Sequence, residues 1–282
     1  MTIPSLLART EDQLCLAAVP SPRADAEWML VHILQCSRSE LLHHPTPSAN
    51  QLKIYNDLVA QRCKRIPLQH VLGNTEFYGL MFKSTPAALI PRPDTESLVE
   101  TVIDHLQHQV APKILDIGTG SGIIAITLAH ELPTAQVFAT DISKPALALA
   151  KQNAHLNQVE DRTHFLQSNL LSSLSATSQF DVIVSNPPYI PTADISDLDT
   201  EVRDHDPLLA LDGGLDGLGF YRHLIPQSLP YLKPDGLLAL EIGHDQCPAI
   251  ETLFSQEEAF IQTRAHQDLA GHTRILISKK QE

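Results

Sequence analysis

The chain has 282 residues, 43% of them apolar, and a formal net charge of −13. That length accommodates one large domain and a smaller one, each with its own core. The charge argues against a surface that grips bare nucleic acid, no stretch approaches the ~18 uninterrupted apolar residues of a membrane span, and Met1 to Leu16 lacks the basic start of a signal peptide.

The four cysteines, Cys15, Cys36, Cys63 and Cys247, are far apart and form no Cys-x-x-Cys pair. Neither a disulfide framework nor a thiolate metal site is indicated, and a reducing cytoplasm is the expected compartment. Fourteen histidines include no His-Glu-x-x-His; the closest pairs are His43-His44 and His105 with His108. They read as surface residues, and no metal is expected.

From Met1 to about Arg65 apolar residues recur at helical spacing: Leu6, Leu7, Leu14 and Leu16, then Trp28, Met29, Val31, Ile33 and Leu34, then Leu52, Ile54, Leu58 and Val59. Pro20-Ser21-Pro22 and Pro45-Thr46-Pro47-Ser48 punctuate them, with Ser21 and Ser48 as caps. A small bundle of four or five helices follows, suited to docking or scaffolding. Pro67 to Lys83 changes period, through Val71-Leu72, Gly73-Asn74-Thr75 and Phe77 to Phe82, and reads as a β-hairpin joining two domains. Next, Pro91-Arg92-Pro93-Asp94-Thr95-Glu96 opens a helix near Asp94 or Thr95. Arg92 and Glu96 either serve that helix entry or shape the rim of a site.

From Pro112 the chain alternates strand, loop and helix, the pattern of a parallel sheet with crossover helices. Strands are expected from Ile114-Leu115, over 136–140, 163–167 and 180–185, and later over 237–243 and 274–278. The segment from Ile190 to Gly217 is irregular, with eight acids and Arg203 as its only Lys or Arg. A long loop at the carboxyl edge of a strand is a usual place for function.

After the first of these strands comes Asp116-Ile117-Gly118-Thr119-Gly120-Ser121-Gly122. Its glycines allow a tight turn and close approach of a ligand at a helix N-terminus. A dinucleotide fingerprint would need glycine where Ile123 stands, so the spacing suits the methionine part of S-adenosylmethionine better than a pyrophosphate. Asp141, nineteen residues past Gly122, is placed to accept the ribose hydroxyls of an adenosine, or else to cap the helix after it. Ser168, Asn169 and Leu170 fall where adenine belongs, Asn169 to bond the base and Leu170 to pack on it. Asn186-Pro187-Pro188-Tyr189 follows the apolar run 180–185. The Asn186 side-chain oxygen and the Pro187 carbonyl can accept both N–H bonds of one planar NH2 group, held by fixed proline φ angles, while Tyr189 offers a flat face to it. The bland alternative is a strand ending in a Pro-rich turn. A methyl donor and a nitrogen acceptor would thus face each other.

These residues resemble the class-1 peptide-chain release factor glutamine N5-methyltransferases over nearly the whole chain. The resemblance is carried by Pro67-Leu68-Gln69-His70, Phe77-Tyr78-Gly79-Leu80, Pro91 to Glu96, Asp116 to Gly122, Asn186 to Ile190, Ala210 to Gly214, Asp216-Gly217 and Glu241-Ile242-Gly243. The family usually has Asp where this chain has Asn169, with a larger residue in place of Leu170. The resemblance implies an α/β class I S-adenosylmethionine-dependent methyltransferase with a Rossmann-like seven-stranded sheet (91–282), preceded by a helical bundle (1–66) that holds the release factor and a β-hairpin linker (67–90). It implies methyl transfer from S-adenosylmethionine, leaving S-adenosylhomocysteine, to the glutamine of the Gly-Gly-Gln motif. Nothing in the sequence demands a dimer, so a monomer is expected, and the charge and the lack of an apolar span lead us to expect neither nucleic-acid nor membrane binding. The nearest alternative is a glutamine methyltransferase of a large-subunit ribosomal protein. An adenine N6-methyltransferase would need a basic strand-binding surface, and a non-catalytic S-adenosylmethionine-binding module would not need Asn186 and Tyr189.

Overall fold

A computed structural model describes residues 2–268 and 271–281. They form two compact units: one is the chain up to Asn74 together with Asp199–His205, the other is Thr75–Leu198 and the chain from Asp206 onward.

The first unit contains α1 (Ile3–Leu16), α2 (Pro22–Leu34), α3 (Ala49–Arg62) and α4 (Leu68–Leu72). Thr2 caps α1 by accepting the Ser5 N–H, and Ser48 and Gln51 form a reciprocal capping box on α3. Ser21 makes no side-chain cap bond; α2 instead opens on Pro22, at a position where a missing N–H costs nothing. Leu6, Leu7, Leu14, Met29, Leu30, Tyr55 and Val59 share one core. On α2 the buried stripe is Ala26, Met29, Leu30 and Leu34, so Trp28 falls off it and is 44% exposed.

Val71 and Leu72, expected in a strand, lie in α4, which starts after Pro67 and stops at Gly73 with φ 74°. The hairpin is correspondingly shorter: β1 (Asn74–Phe77) and β2 (Leu80–Lys83) turn at Tyr78-Gly79, both with positive φ, as a tight two-residue hairpin turn requires.

The second unit continues with α5 (Asp94–Leu106), β3 (Lys113–Ile117), α6 (Ile123–Glu131), β4 (Gln136–Asp141), α7 (Lys144–Leu156), β5 (Thr163–Gln167) and β6 (Phe180–Ser185). The long segment then forms α8 (Thr200–His205), which belongs to the first unit, and α9 (Leu208–Leu211). It is followed by α10 (Gly219–Ser228), β7 (Leu232–Glu241), α11 (Cys247–Ser255), β8 (Phe260–Gln267) and β9 (Thr273–Lys280). The sheet order is β5-β4-β3-β6-β7-β9-β8, parallel except for β9, which runs against both its neighbours. This is the seven-stranded α/β architecture of class I methyltransferases. The pattern of apolar residues alone pointed to six of these strands. β8 escapes it because Phe-Ile-Gln-Thr-Arg-Ala-His-Gln is a polar edge strand with little to bury.

Both faces of the sheet are covered, which makes its central strands nearly continuous apolar runs. Ile114, Val182, Val184 and Ala239 point to the face packed by α5 and α6, while Leu115, Ile117, Ile183, Leu238 and Leu240 point to the face packed by α10 and α11. From β3 the chain builds outward to β4 and β5, then returns to place β6 on the other side of β3. That reversal opens a crevice at the carboxyl ends of β3 and β6.

In the first unit α8 is held by ions. Arg62 Nε donates to Asp25 at 2.7 Å, and its other end donates to Glu201 at 2.8 Å. Arg65 Nε adds a bond to the same carboxylate at 2.7 Å. Arg62 is 4% exposed. Its charge is tolerated there because carboxylates and the Ile66 carbonyl occupy its donors.

Candidate active site

A cavity of about 320 Å³, within the size range of small-molecule sites, occupies the crevice. The loop after β3 contributes Ile117, Gly118, Thr119, Gly120 and Ser121; the end of β4 contributes Thr140, Asp141, Ile142 and Ser143. Ser168, Asn169 and Leu170 follow from β5, and Asn186 and Pro188 from β6. The far wall is Ala87 to Arg92, Thr95, and Pro207, Leu209, Ala210 and Asp212 of the long segment.

The loop after β3 is shaped by its own backbone. Gly118 and Thr119 donate to the Thr140 carbonyl at 2.8 and 3.0 Å. Gly122 has φ 88°, and a Cβ there would meet Ala150 of α7 at 3.1 Å as well as the Ile126 side chain at 2.7 Å, so glycine lets α6 start this close to α7. The Asp141 carboxylate accepts the Gly120 N–H through one oxygen and the Ser143 N–H through the other, each at 2.8 Å. Asp141 therefore ties the loop to the start of α7 while each oxygen keeps a lone pair for a ligand. The Asp141 carboxylate with the flanking Ile142 and Leu170 fits a nucleoside, the part of S-adenosylmethionine that carries its ribose and adenine.

Asp116 is not on the cavity wall. It has the parity of Ile114, so strand alternation sends its side chain to the α5/α6 face, where it is fully buried and neither oxygen has a hydrogen-bond partner among the described residues. Burial pushes its carboxyl up to about 7. Gly122 is also off the wall, acting on helix packing.

At the end of β6, Ser185 donates to the Ile117 carbonyl at 2.6 Å, joining the two central strands where the crevice begins. The Asn186 NH2 donates to Thr95 Oγ1 at 3.1 Å, and Thr95 donates to Glu241 Oε2 at 2.7 Å. Glu241 is 2% exposed, and burial pushes its carboxyl up to about 7 against the opposing hydrogen bond from Thr95. Asn186 thus turns its NH2 group to the protein, and its oxygen accepts no hydrogen bond from Thr95. Pro187 and Tyr189 are not wall residues. Tyr189 packs toward the α10/α11 core, and its carbonyl accepts from Gln246 at 2.9 Å. The chain beyond it is clamped, since Ile190 exchanges backbone bonds with Leu211 and Gly213 at 3.0 and 2.8 Å.

Of the two residues expected at the rim, Arg92 is there, half-exposed and 3.8 Å from Asp206. Glu96 is not: its carboxylate accepts the Tyr78 N–H at 2.8 Å, so it holds the hairpin turn to α5. Asp206 was not anticipated. Its side chain is buried, one oxygen has no partner among the described residues, and burial pushes it up to about 6 although Arg92 opposes the shift. Thr95 read only as part of a helix start; Glu241, an acid closing the apolar run Leu237-Leu238-Ala239-Leu240, was the visible signal of a buried polar site.

Comparison with known proteins adds two family matches: residues 5–73 to a PrmC N-terminal domain and residues 94–201 to a methyltransferase small domain. Among curated relatives, the release factor glutamine methyltransferase of Moorella thermoacetica is 41% identical, with 100% of each chain covered. The protein of the same name from Geobacter sulfurreducens is 42% identical over 98% of this chain and 95% of its own. A solved methyltransferase from Pyrococcus furiosus superposes with TM-score 0.54 at 18% identity, covering 83% of this chain and all of its own, which speaks to the fold alone.

Proposed function

The chain belongs to the release factor glutamine methyltransferase family, and on that premise we propose that it methylates the side-chain amide nitrogen of the Gly-Gly-Gln glutamine of class-1 peptide chain release factors. The observation that carries the reading is the Asn186 amide, whose NH2 group donates to Thr95 beside the cavity, leaving an acceptor oxygen for an incoming N–H.

When bound, S-adenosylmethionine supplies an electrophilic methyl group on a sulfonium. The protein's task is to aim a poor nucleophile, because the lone pair of an amide nitrogen is delocalised into its carbonyl. Asn186 Oδ1 accepts one N–H of the glutamine amide, which holds the group in place and raises electron density on nitrogen. Pro187 and Tyr189 lie behind the wall in this structure, so the Pro187 carbonyl takes the second N–H, and the Tyr189 ring the amide plane, only if the segment 187–189 turns toward the cavity when substrate enters. The new N–C bond would form at the expense of the donor's S–methyl bond, whose electron pair stays on sulfur, and nitrogen sheds a proton to solvent, which needs no strong base. Asp141 and the 117–121 loop hold the nucleoside and its tail; Asn169 and Leu170 meet the adenine. Arg92, at the rim, meets the incoming substrate segment.

The helical unit is the docking module for the release factor in this reading. The protein works as a cytoplasmic monomer whose partner is another protein. The net charge of −13 supports a protein partner over bare nucleic acid, and no described helix is long and apolar enough to cross a membrane.

Intact-mass and peptide mass spectrometry of an unmethylated release factor, incubated with this protein and S-adenosylmethionine, tests the proposal. One added methyl on the Gly-Gly-Gln glutamine is expected. An unmodified release factor, with transfer to ribosomal protein in a parallel reaction, would replace the substrate.

A further inference from the structure

We infer that Thr95 and the Glu241 carboxylate are positioning residues that decide which end of the Asn186 amide faces the cavity. The inference rests on the reading of Asn186 as the acceptor for the substrate N–H.

The polarity of the chain follows from what each group can do. An ionised carboxylate only accepts, and a hydroxyl has a single proton. With Thr95 Oγ1 2.7 Å from Glu241 Oε2, that proton points to Glu241, and what Thr95 offers Asn186 is a lone pair. Asn186, 3.1 Å away, must answer with its NH2 group, so Oδ1 is left for the cavity. Thr95 and Glu241 are 1% and 2% exposed, so no bulk water competes for these bonds.

A protonated Glu241 has a donor of its own. It can donate a hydrogen bond to Thr95 Oγ1 while keeping its proton, which frees the Thr95 hydroxyl to donate to Asn186 Oδ1. The amide then turns its NH2 outward, where the substrate's N–H meets a donor instead of an acceptor. That arrangement cannot bind the nucleophile.

Every charged or titratable neighbour of Glu241 bears on this balance. Asp94, from the same helix as Thr95, favours protonation, and Arg274 from β9 opposes it. Asn186 also favours the charged form. From α10 the Tyr221 hydroxyl donates to the Glu241 backbone carbonyl at 2.8 Å, and Tyr189 lies near enough to feel the carboxylate. Arg274 is shared, standing 3.4 Å from both Asp94 and Asp268. Burial is the largest influence and brings the carboxyl up to about 7, where both forms are populated at neutral pH.

The test compares Thr95→Val, Thr95→Ser, Glu241→Gln and Asn186→Ala in the full chain, using an unmethylated release factor and saturating S-adenosylmethionine between pH 6 and 9. Melting temperature and S-adenosylhomocysteine affinity are recorded for each. Removing the hydroxyl in Thr95→Val is expected to lower kcat roughly tenfold or more with cofactor affinity unchanged, as loss of one buried hydrogen bond to the working amide implies. Thr95→Ser, which restores a hydroxyl, recovers most of that loss. In the wild type kcat/KM falls with unit slope below about pH 7 as Glu241 protonates, and in Glu241→Gln that acid limb disappears. Wild-type kcat in Thr95→Val, beside an inactive Asn186→Ala, overturns the inference and leaves the reading of Asn186 standing. An acid limb that persists in Glu241→Gln at the same midpoint overturns it also, whatever the folding of the threonine variants. Near-normal turnover in Asn186→Ala removes the reading on which the inference rests.

Discussion

The Asp141 carboxylate bridges the Gly120 and Ser143 N–H groups at 2.8 Å each, so one side chain fixes both the floor of the cavity and the start of α7. Asp141 lines the cavity, and the remaining lone pairs of its carboxylate suit a pair of ribose hydroxyls. Asp141→Asn keeps the shape but turns one acceptor into a donor. Binding of S-adenosylhomocysteine, measured by calorimetry, is expected to weaken roughly tenfold to a hundredfold, the scale of one or two hydrogen bonds to a charged group. A dissociation constant within twofold of wild type would remove Asp141 from the ribose site.

Asn186 and Asp141 line one cavity but serve different partners, and their variants should separate accordingly. Asn186→Ala removes an acceptor used while the nitrogen is being aimed, so kcat is expected to fall about a hundredfold to a thousandfold, as for loss of a preorganised polar group at a reacting centre. S-adenosylhomocysteine affinity should stay within threefold. Equal losses in both quantities would mean that Asn186 supports the cavity as a whole.

What could be read from residues alone follows a physical division. The loop 117–121 was legible because a turn that lets a ligand meet backbone needs glycine, and Gly118, Gly120 and Gly122 all have positive φ. The strands were legible where both faces are buried, as in β6, and illegible in the polar edge strand β8. Asp116 sits in the loop motif by sequence, yet its side chain is fully buried beneath the loop, beside Thr119 and the start of α6, and does not line the cavity. Thr95 and Glu241 are 146 residues apart, and only packing α5 against β7 makes them partners. Glu96, next to Thr95 in the same motif, proves to serve the hairpin because Tyr78 has a backbone N–H that needs an acceptor.

Gly217 lies under Tyr189. A Cβ at Gly217 would stand 2.3 Å from the Tyr189 carbonyl oxygen and 2.6 Å from Gln246 Nε2, at a φ of 73° that L-residues rarely adopt. Gln246 is already committed to that carbonyl at 2.9 Å, so neither neighbour can yield without breaking the support beneath Asn186-Pro187-Pro188-Tyr189. Gly217→Ala is expected to cost about 2–4 kcal/mol in urea unfolding, combining backbone strain with overpacking. It should lower kcat as well, since Tyr189 cannot keep its place. Unchanged stability would mean that the segment 213–217 can move away as a unit.

Glu201 provides a pH test confined to the helical unit. Burial pushes its carboxyl up, but hydrogen bonds from Arg65 and Arg62 outweigh that and hold it down to about 2. A carboxyl depressed in the folded state contributes stability that is complete above its unfolded value of 4.5 and is lost as pH falls toward 2. The shift corresponds to about 3 kcal/mol at neutral pH by linkage. Glu201→Ala is expected to lose a comparable amount at pH 7, because it leaves part of the buried Arg62 charge to Asp25 alone. As pH falls from 4.5 toward 2 the gap between wild type and variant should narrow to below about 1 kcal/mol, since Glu201 takes up its proton and loses its attraction for both arginines. Hydrogen exchange of the α2 and α3 amides, followed against pH in both proteins, checks the sign locally. A gap between the two that stays constant from pH 7 to pH 2.5 would show that Glu201 acts through packing and not through its charge.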